Sequence, residues 1–216
     1  MNAVTRRRVT TLRPNKQFRS LKGLNRALMK EPPYVLGGGR IVLGAGPVGA
    51  AIAFVGEQPG DQEDRQGAPF VGPAGAVLEE AMAKAGIDRG ACYLTNAVKQ
   101  FKYIRRGKKR LHQRPTTDEI VHYRWWLALE LDLVAPQIIV ALGATALFAL
   151  AKRRLSVAEH RGPFPLLDRA GFVTIHPSAI LRIPEQTARR AARRAFGVDL
   201  KRIQRLSIQA RSRDAP

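Results

Sequence analysis

The sequence is short of cysteine and acidic residues and has no long apolar run, and each shortage narrows what the protein can be. Cys92 is the one cysteine among 216 residues. The chain alone therefore cannot form a disulfide or a zinc or iron–sulfur site that needs several cysteines. The longest apolar stretches, 138–150 and 48–55, fall short of the ~20 residues of a membrane span, and the arginine-rich N-terminus lacks a signal peptide's apolar core. We expect a soluble cytoplasmic protein with no membrane partner.

Acidic residues are strongly outnumbered by basic ones. The chain has 17 Asp and Glu against 37 Lys and Arg, a net charge of +20. This excess favours a polyanionic partner, with nucleic acid as the simplest candidate and an anionic membrane surface as the weaker alternative. Hydrophobic residues make up 45% of the chain, enough to bury a core, so the function should reside in a folded site.

The charge is unevenly distributed along the chain. The first forty residues hold ten basic side chains and a single acid, Glu31. We interpret residues 1–40 as a basic extension with a short helix at 21–29, which is either a solvated tail or an arm that grips DNA. Residues 41–209 form the single main domain and 210–216 a C-terminal tail.

The main domain has an alternating α/β pattern. Strands are predicted at 51–55, 92–95, 137–142 and 172–175, and helices at 74–85, 116–131, 144–152 and 184–209. Strands separated by helices predict a three-layer α/β/α sandwich around a central four-stranded parallel sheet. Ligands of such sheets bind at the carboxyl ends of the strands, so the loops after Val55, Thr95, Leu142 and Ile175 should hold the chemistry.

Glycines at residues 44–49 fit the G-x-G-x-x-G spacing of dinucleotide-binding proteins. That motif requires a helix to begin inside the glycine run, whereas here a small apolar run resembling a strand follows. We therefore favour a glycine-rich lead-in to the first strand over a dinucleotide site.

The loop after the first strand concentrates acidic residues in a basic protein. Its four carboxylates belong to Glu57, Asp61, Glu63 and Asp64, on a Pro/Gly turn. Such a turn can form an anion-binding nest, and a carboxylate can hold water or stabilise a developing cation. The alternatives are a solvated acidic loop and a divalent-metal site. Phe70, farther along this loop, is either a core aromatic or a ring that stacks on an extruded base.

Two further segments carry candidate binding groups. After the last strand, His176 could donate a hydrogen bond to a leaving group, while Ser178 and Arg182 hold phosphate. Residues 99–114 contain eight basic side chains and no acid, which favours a phosphate-binding loop over a merely solvated one.

Together these segments resemble the motifs of the uracil-DNA glycosylase superfamily. The similarity rests on residues 56–64 with 69–72, on 95–99 and on 176–178, and it extends over about residues 44–200. It is closest to the bacterial UdgX branch and to its family 4 relatives. The resemblance implies a monomeric bacterial, nucleoid-associated enzyme that hydrolyses the N-glycosidic bond of deoxyuridine in DNA, releases free uracil and initiates base excision repair.

The resemblance also implies roles in uracil recognition. Phe70 would stack on the extruded uracil. The Asn96 amide would accept a hydrogen bond from N3–H and donate one to O4, a pairing that cytosine inverts. Glu63 would lie against the C5 edge and exclude the methyl group of thymine.

The implied chemical roles fall on the same loops. Backbone N–H groups around Gln58, together with His176, would face uracil O2, where charge accumulates as the glycosidic bond breaks. Glu57 or Asp61 would orient water and stabilise the oxocarbenium-like sugar.

The basic segment ends in a further point of similarity. Lys108, Lys109 and Arg110 are expected to bind DNA, and with Leu111 and His112 they resemble a UdgX loop whose histidine captures the sugar covalently. His112 is accordingly a candidate nucleophile, with a phosphate-contacting or loop-packing role as the alternative. Besides turnover, the sequence leaves open suicide capture through His112 and a DNA-binding module without activity.

The sequence departs from these relatives at the metal. Family 4 and UdgX proteins carry a cluster of four irons and four sulfides held mainly by cysteines. Here Gln100 and Tyr123 stand where ligands are expected, and residues 1–55 contain no cysteine. We expect no cofactor and no metal, with packing by Tyr123, Trp125 and Trp126 in place of the cluster.

Overall fold

The structure is a computed structural model that describes residues 18–214. Its strands are β1 (Ile52–Gly56), β2 (Tyr93–Asn96), β3 (Tyr103–Arg106), β4 (Lys109–His112), β5 (Ile138–Leu142), β6 (Gly162–Pro163) and β7 (Gly171–Thr174). Its α-helices are α1 (Leu21–Leu28), α2 (Asp61–Gln66), α3 (Pro73–Ala85), α4 (Thr117–Val134), α5 (Gly143–Ala151), α6 (Val157–His160), α7 (Pro177–Leu181) and α8 (Gln186–Asp214).

The central sheet has the strand order β2-β1-β5-β7-β6. Its first four strands are parallel, which confirms the predicted four-stranded parallel sheet, and the two-residue β6 adds an antiparallel edge that was not predicted. Each of the four parallel strands begins within one residue of its predicted start. The other two strands, β3 and β4, form a separate antiparallel hairpin inside the segment predicted as a basic loop.

Helices cover both faces of the sheet, as the three-layer prediction requires. Alternate residues of β1 show why the strand is apolar throughout. Ala53 and Val55 belong to the apolar cluster that includes buried residues of α1, α4 and α5, whereas Ile52 and Phe54 belong to the cluster that includes those of α3 and α8. Successive strand residues point to opposite faces, so a strand covered on both sides needs apolar residues at every position. None of the helices within 18–214 is both long and apolar enough to cross a membrane.

The described part of the predicted N-terminal extension, residues 18–40, packs on this fold. Residues 1–17 lie outside the described part of the chain, but Leu24, Leu28 and Val35 are buried in the core on the α4 side. The boundary at residue 40 therefore does not coincide with a break in packing. At the other end, α8 continues to Asp214, so most of the predicted tail is helical.

Two short helices lie within segments predicted as loops. α2 begins after Gly60 inside the acidic loop, and α7 begins at its N-cap His176. Both are too short to show helical periodicity in the sequence. They matter for the site because a helical turn fixes the direction of the side chains that it carries.

Candidate active site

The candidate site lies at the carboxyl ends of β1, β2 and β7. Gly56 and Asn96 are register partners at the ends of their strands. A Cβ atom at position 56 would meet Asn96 Oδ1 and lie 2.7 Å from Phe70 Cζ. The absence of a side chain at Gly56 therefore lets the Phe70 ring and the Asn96 amide approach the same strand end closely, so that an aromatic ring and a hydrogen-bonding amide lie side by side.

Phe70 reaches this position through a strained backbone. Its φ angle is 56°, in the left-handed region that side chains rarely adopt. Arg89 Nη2 donates to the Phe70 carbonyl at 3.2 Å, and a Cβ at Gly75 would overlap that carbonyl oxygen. Strain of this kind persists where the surroundings enforce it, commonly at functional sites.

His176 is held in one tautomer by α7. Its Nδ1 accepts a hydrogen bond from the Ser178 backbone N–H at 3.2 Å and lies 2.7 Å from Ser178 Oγ. Because a backbone N–H can only donate, Nδ1 carries no proton and the neutral ring bears its proton on Nε2. The Ser178 hydroxyl lies against the histidine ring, and its predicted contact with phosphate stays a prediction.

The environment of His176 keeps it neutral. Burial is the main cause and lowers the pKa of His176 to about 4, while the negative charge of Glu57 acts in the opposite direction. The ring centroid lies 6.4 Å from that of Phe70. At neutral pH the site therefore contains an uncharged N–H donor beside the aromatic ring.

We expect the His176 imidazole to stay neutral from pH 7 down to about pH 5 and to titrate near about 4. The unfolded chain binds the same proton near pH 6.5, so this group destabilises the fold as pH falls from about 6.5 towards 4. NMR of protein labelled with ¹⁵N-histidine measures the midpoint, and His176→Gln assigns its signals among the four histidines. A midpoint near 6.5 would contradict this account.

Glu57 is fixed by two side chains. Its Oε2 accepts a hydrogen bond from Thr145 Oγ1 at 2.8 Å, and its Oε1 lies 3.2 Å from His112 Nε2. Burial by itself raises the pKa of Glu57, but the hydrogen bonds from His112 and Thr145 outweigh it and hold the pKa below 4.5. Glu57 is accordingly a carboxylate at neutral pH. The sequence indicated the loop after Leu142, but Thr145 itself was not singled out.

Arg110 attaches the hairpin β3–β4 to the acidic loop. Its guanidinium forms ion pairs with Asp61 and Asp64 and lies over the ring of Tyr103, 4.9 Å from the centroid. Asp64 also accepts a hydrogen bond from the backbone N–H of Arg40 at 2.7 Å. These ion pairs hold Arg110 against the acidic loop, and the predicted roles of Arg110 in DNA binding and of Asp61 in orienting water stay predictions.

Glu63 and Gln58 also hold the loop together. The Glu63 carboxylate accepts hydrogen bonds from Gly60 N at 3.0 Å and Gly72 N at 2.8 Å, and its predicted place against the C5 edge of uracil stays a prediction. The Gln58 amide donates to the Gln113 carbonyl at 3.0 Å, at the base of the hairpin. Both side chains position the backbone; the predicted role of the N–H groups near Gln58 stays a prediction.

The predicted phosphate-binding segment is only partly available. Lys99 is buried and pairs with Glu130, and its Nζ donates to Thr95 Oγ1 at 2.6 Å. Lys102 pairs with Glu119 at 3.0 Å. The remaining basic side chains of the segment are exposed, namely Arg105, Arg106, Lys108, Lys109 and Arg114. Arg182, at the end of α7, is exposed as well.

Gln100 and Tyr123 do not form a metal site. The Tyr123 hydroxyl donates to Gln100 Oε1, which also accepts from Tyr34 N at 3.0 Å, while Gln100 Nε2 donates to the Gly39 carbonyl at 2.9 Å. Cys92 is buried in the core cluster on the opposite side of the sheet. Within residues 18–214 no group of three or more His, Cys, Asp or Glu side chains could hold a metal. The residues present do not fit a cysteine-ligated cluster.

Comparison with known proteins identifies a family. The profile of the uracil DNA glycosylase superfamily matches residues 43–201. The chain is 36% identical over 161 residues to a type-4 uracil-DNA glycosylase of Thermotoga maritima, covering 73% of this chain and 80% of the relative.

Two further relatives agree with this match. A type-4 uracil-DNA glycosylase of Pyrobaculum aerophilum is 35% identical over 152 residues, which cover 66% of this chain and 74% of the relative. One of Sulfurisphaera tokodaii is 32% identical over 177 residues, which cover 77% of this chain and 74% of the relative. With the fold and the converging strand ends, these matches show that the chain belongs to the uracil-DNA glycosylase superfamily.

Proposed function

We propose that the protein is a uracil-DNA glycosylase that hydrolyses the N-glycosidic bond of deoxyuridine in DNA and so begins base excision repair. The observation that carries this proposal is the convergence of the Phe70 ring and the Asn96 amide at Gly56, beside His176 and Glu57 at the carboxyl ends of the parallel strands. A base can reach such a site only when it is extruded from the stack.

Uracil matches the side chains that converge at Gly56. Phe70 offers a ring for stacking, and Asn96, which is 4% exposed, offers one acceptor and one donor. Uracil presents N3–H and O4, the complement of that pair. Cytosine presents an acceptor at N3 and a donor amino group at C4. Its N3 would face the Asn96 carbonyl and its amino group the Asn96 N–H, and leaving these buried groups unpaired disfavours binding.

The chemical step uses a neutral donor and a carboxylate. As the C1′–N1 bond breaks, its electron pair leaves with the base and negative charge accumulates on O2. The Nε2–H of His176 stabilises that charge more in the transition state than in the ground state. The Glu57 carboxylate stabilises the positive sugar and orients the water whose oxygen bonds to C1′.

The 3.2 Å contact between Glu57 and His112 supports a second candidate, covalent capture. In that reaction uracil leaves with the bonding electrons, a ring nitrogen of His112 bonds to C1′, and the imidazole proton passes to the Glu57 carboxylate. We retain turnover as the leading function because the relatives are named glycosylases.

An end-labelled uracil oligonucleotide separates these outcomes. We expect wild-type protein to create alkali-sensitive sites at uracil and no shifted band on a denaturing gel run without heat or alkali. A shifted band lost in His112→Ser would establish capture instead. An intact oligonucleotide under both treatments would contradict a glycosylase altogether, and a thymine-containing strand is the matched control.

The proposal also covers the contacts with DNA, the oligomeric state and the cellular location. The exposed Lys108, Lys109 and Arg182 would bind phosphates beside the extruded nucleotide. A monomer would suffice because one chain supplies Glu57, Asn96 and the other groups of the site. The net charge of +20 favours association with the nucleoid in the bacterial cytoplasm.

A further inference from the structure

We propose that the groove between α3 and α8 binds an acidic peptide segment of a partner protein, with one apolar side chain of that segment packed on the floor of the groove. Side chains of both helices line a cavity of about 510 Å³. None of the lining side chains is among those that converge at Gly56, so peptide binding here is independent of the proposed catalysis.

The two helices run in the same direction and leave an elongated groove. Arg193 on α8 pairs with Glu80 on α3. Farther along both helices, the Gln204 amide donates to the carbonyl of Gly86 at 3.1 Å. The lining on α8 extends over residues 190–201, a length of ~16 Å at a rise of 1.5 Å per residue. About five residues of an extended peptide span that length.

The floor of the groove is apolar and has room for a side chain. Val77 and Ala81 of α3 form it together with Gly197 and Val198 of α8. Val198 is 55% exposed. A Cβ atom at Gly197 would meet no packed neighbour within 4 Å in the described part of the chain. Glycine inside a helix is destabilising relative to alanine, and here packing within the fold does not require it. The missing side chain leaves a depression that an apolar side chain of a partner can fill.

The rim of the groove carries positive charge. Arg190, Arg194 and Lys201 are exposed, and their spacing places them on one face of α8. Among the described residues none of these three cations forms an ion pair. Glu80, the acidic residue that lines the groove, already pairs with two other cations there. The rim therefore attracts anionic groups that lie on either side of an apolar side chain.

These features favour an acidic peptide over nucleic acid. Guanidinium groups bind carboxylates through two parallel hydrogen bonds, and arginine clusters recognise acidic motifs. Contacts to a phosphate backbone need cations but no apolar floor. Bases that leave the backbone stack on exposed aromatic rings, whereas Phe196 beneath this floor is fully buried. The groove thus offers an apolar contact and carboxylate-binding groups, but no ring on which a base could stack.

Fluorescence anisotropy with the full chain tests the proposal. The probe is a fluorescein-labelled peptide of aspartates and glutamates with one central phenylalanine, and we expect wild-type protein to bind it. Replacing the phenylalanine of the peptide by serine should weaken binding by about 10- to 100-fold, because the apolar contact with the floor is lost.

Two double variants separate the groove from the general positive charge of the protein. Arg190→Ala with Arg194→Ala should weaken peptide binding by at least about tenfold. Arg202→Ala with Arg205→Ala removes the same charge from exposed positions of α8 that do not line the groove. This matched control should change the affinity by less than about threefold, because salt screens charges that make no contact with the peptide.

A single substitution tests the floor without changing any charge. Gly197→Gln fills the depression and should weaken peptide binding by at least about tenfold. Its thermal unfolding midpoint should equal or exceed that of wild-type protein, because a glycine is removed from a helix interior where space is open. Ala191→Gln places the same side chain at an exposed position of α8 outside the groove and should bind the peptide as wild-type protein does.

Three results would overturn the proposal. They are no binding of the peptide by wild-type protein, equal weakening in the two double variants, and an affinity of Gly197→Gln within twofold of wild type. A single-stranded oligonucleotide that displaces the peptide and is itself bound more weakly by Gly197→Gln would assign the groove to nucleic acid instead. Uracil excision by Gly197→Gln should match that of wild-type protein. If wild-type protein does not excise uracil, the proposed function fails while the peptide measurements still test the groove.

Discussion

Replacing Asn96 by aspartate is expected to reduce uracil excision by at least about 10³-fold, because sites built to hydrogen-bond a substrate discriminate by about 10⁴–10⁵ when a partner is lost. The substitution removes the donor to O4 and puts a negative charge against that oxygen. Asn96 is 4% exposed, so water cannot screen the repulsion. Excision kinetics on a uracil-containing oligonucleotide measure the loss.

DNA binding should survive the same substitution. Affinity depends mainly on contacts to phosphate, and Asn96 makes none in this proposal. Asn25→Asp on α1 is the matched control, since it makes the same change of charge away from the site. If Asn96→Asp retained excision within tenfold of wild type, uracil recognition would have to lie elsewhere in the protein.

Replacing Glu57 by glutamine is expected to reduce excision by about 10²–10³-fold, the size of effect seen when one preorganised electrostatic group is removed. Glutamine keeps the shape and can still accept the hydrogen bond from Thr145, but it cannot stabilise a positive sugar by charge. The loss should appear in single-turnover rates, with the affinity for DNA little changed.

The acidic loop supplies the control for Glu57. Asp61 was the other sequence candidate for the same role, but its carboxylate pairs with Arg110 and with Arg65 at 2.9 Å and is 38% exposed. Asp64 still pairs with Arg110 when Asp61 is changed, so Asp61→Asn should leave excision within about tenfold of wild type. If Asp61→Asn lowered the excision rate more than Glu57→Gln does, the catalytic role would belong to Asp61 and not to Glu57.

The sequence predicted the parallel strands and most helices because the signals for these elements lie within the elements or directly beside them. Apolar runs bounded by glycine and proline marked β1, β2, β5 and β7, and the cap at Thr116 marked the start of α4. The hairpin β3–β4 was not predicted, because basic residues occupy both of its faces and hide the alternation. The available signal for a hairpin was the glycine at position 107, with Tyr and Ile in the run before it and Leu and His in the run after it.

The sequence by itself determined the sheet, the strand ends at which the site lies, and the presence of Glu57, Asn96 and His176 there. It could do so because parallel strands bring their carboxyl ends to one edge whatever their partners are. Only the tertiary structure decided which charges are free. Arg110 pairs with residues 46 and 49 positions away, and Lys99 with Glu130, 31 positions away. Pairing between charges depends on their distance in space, which the order of residues does not specify. A count of charges from the sequence therefore treats both Arg110 and Lys99 as available cations.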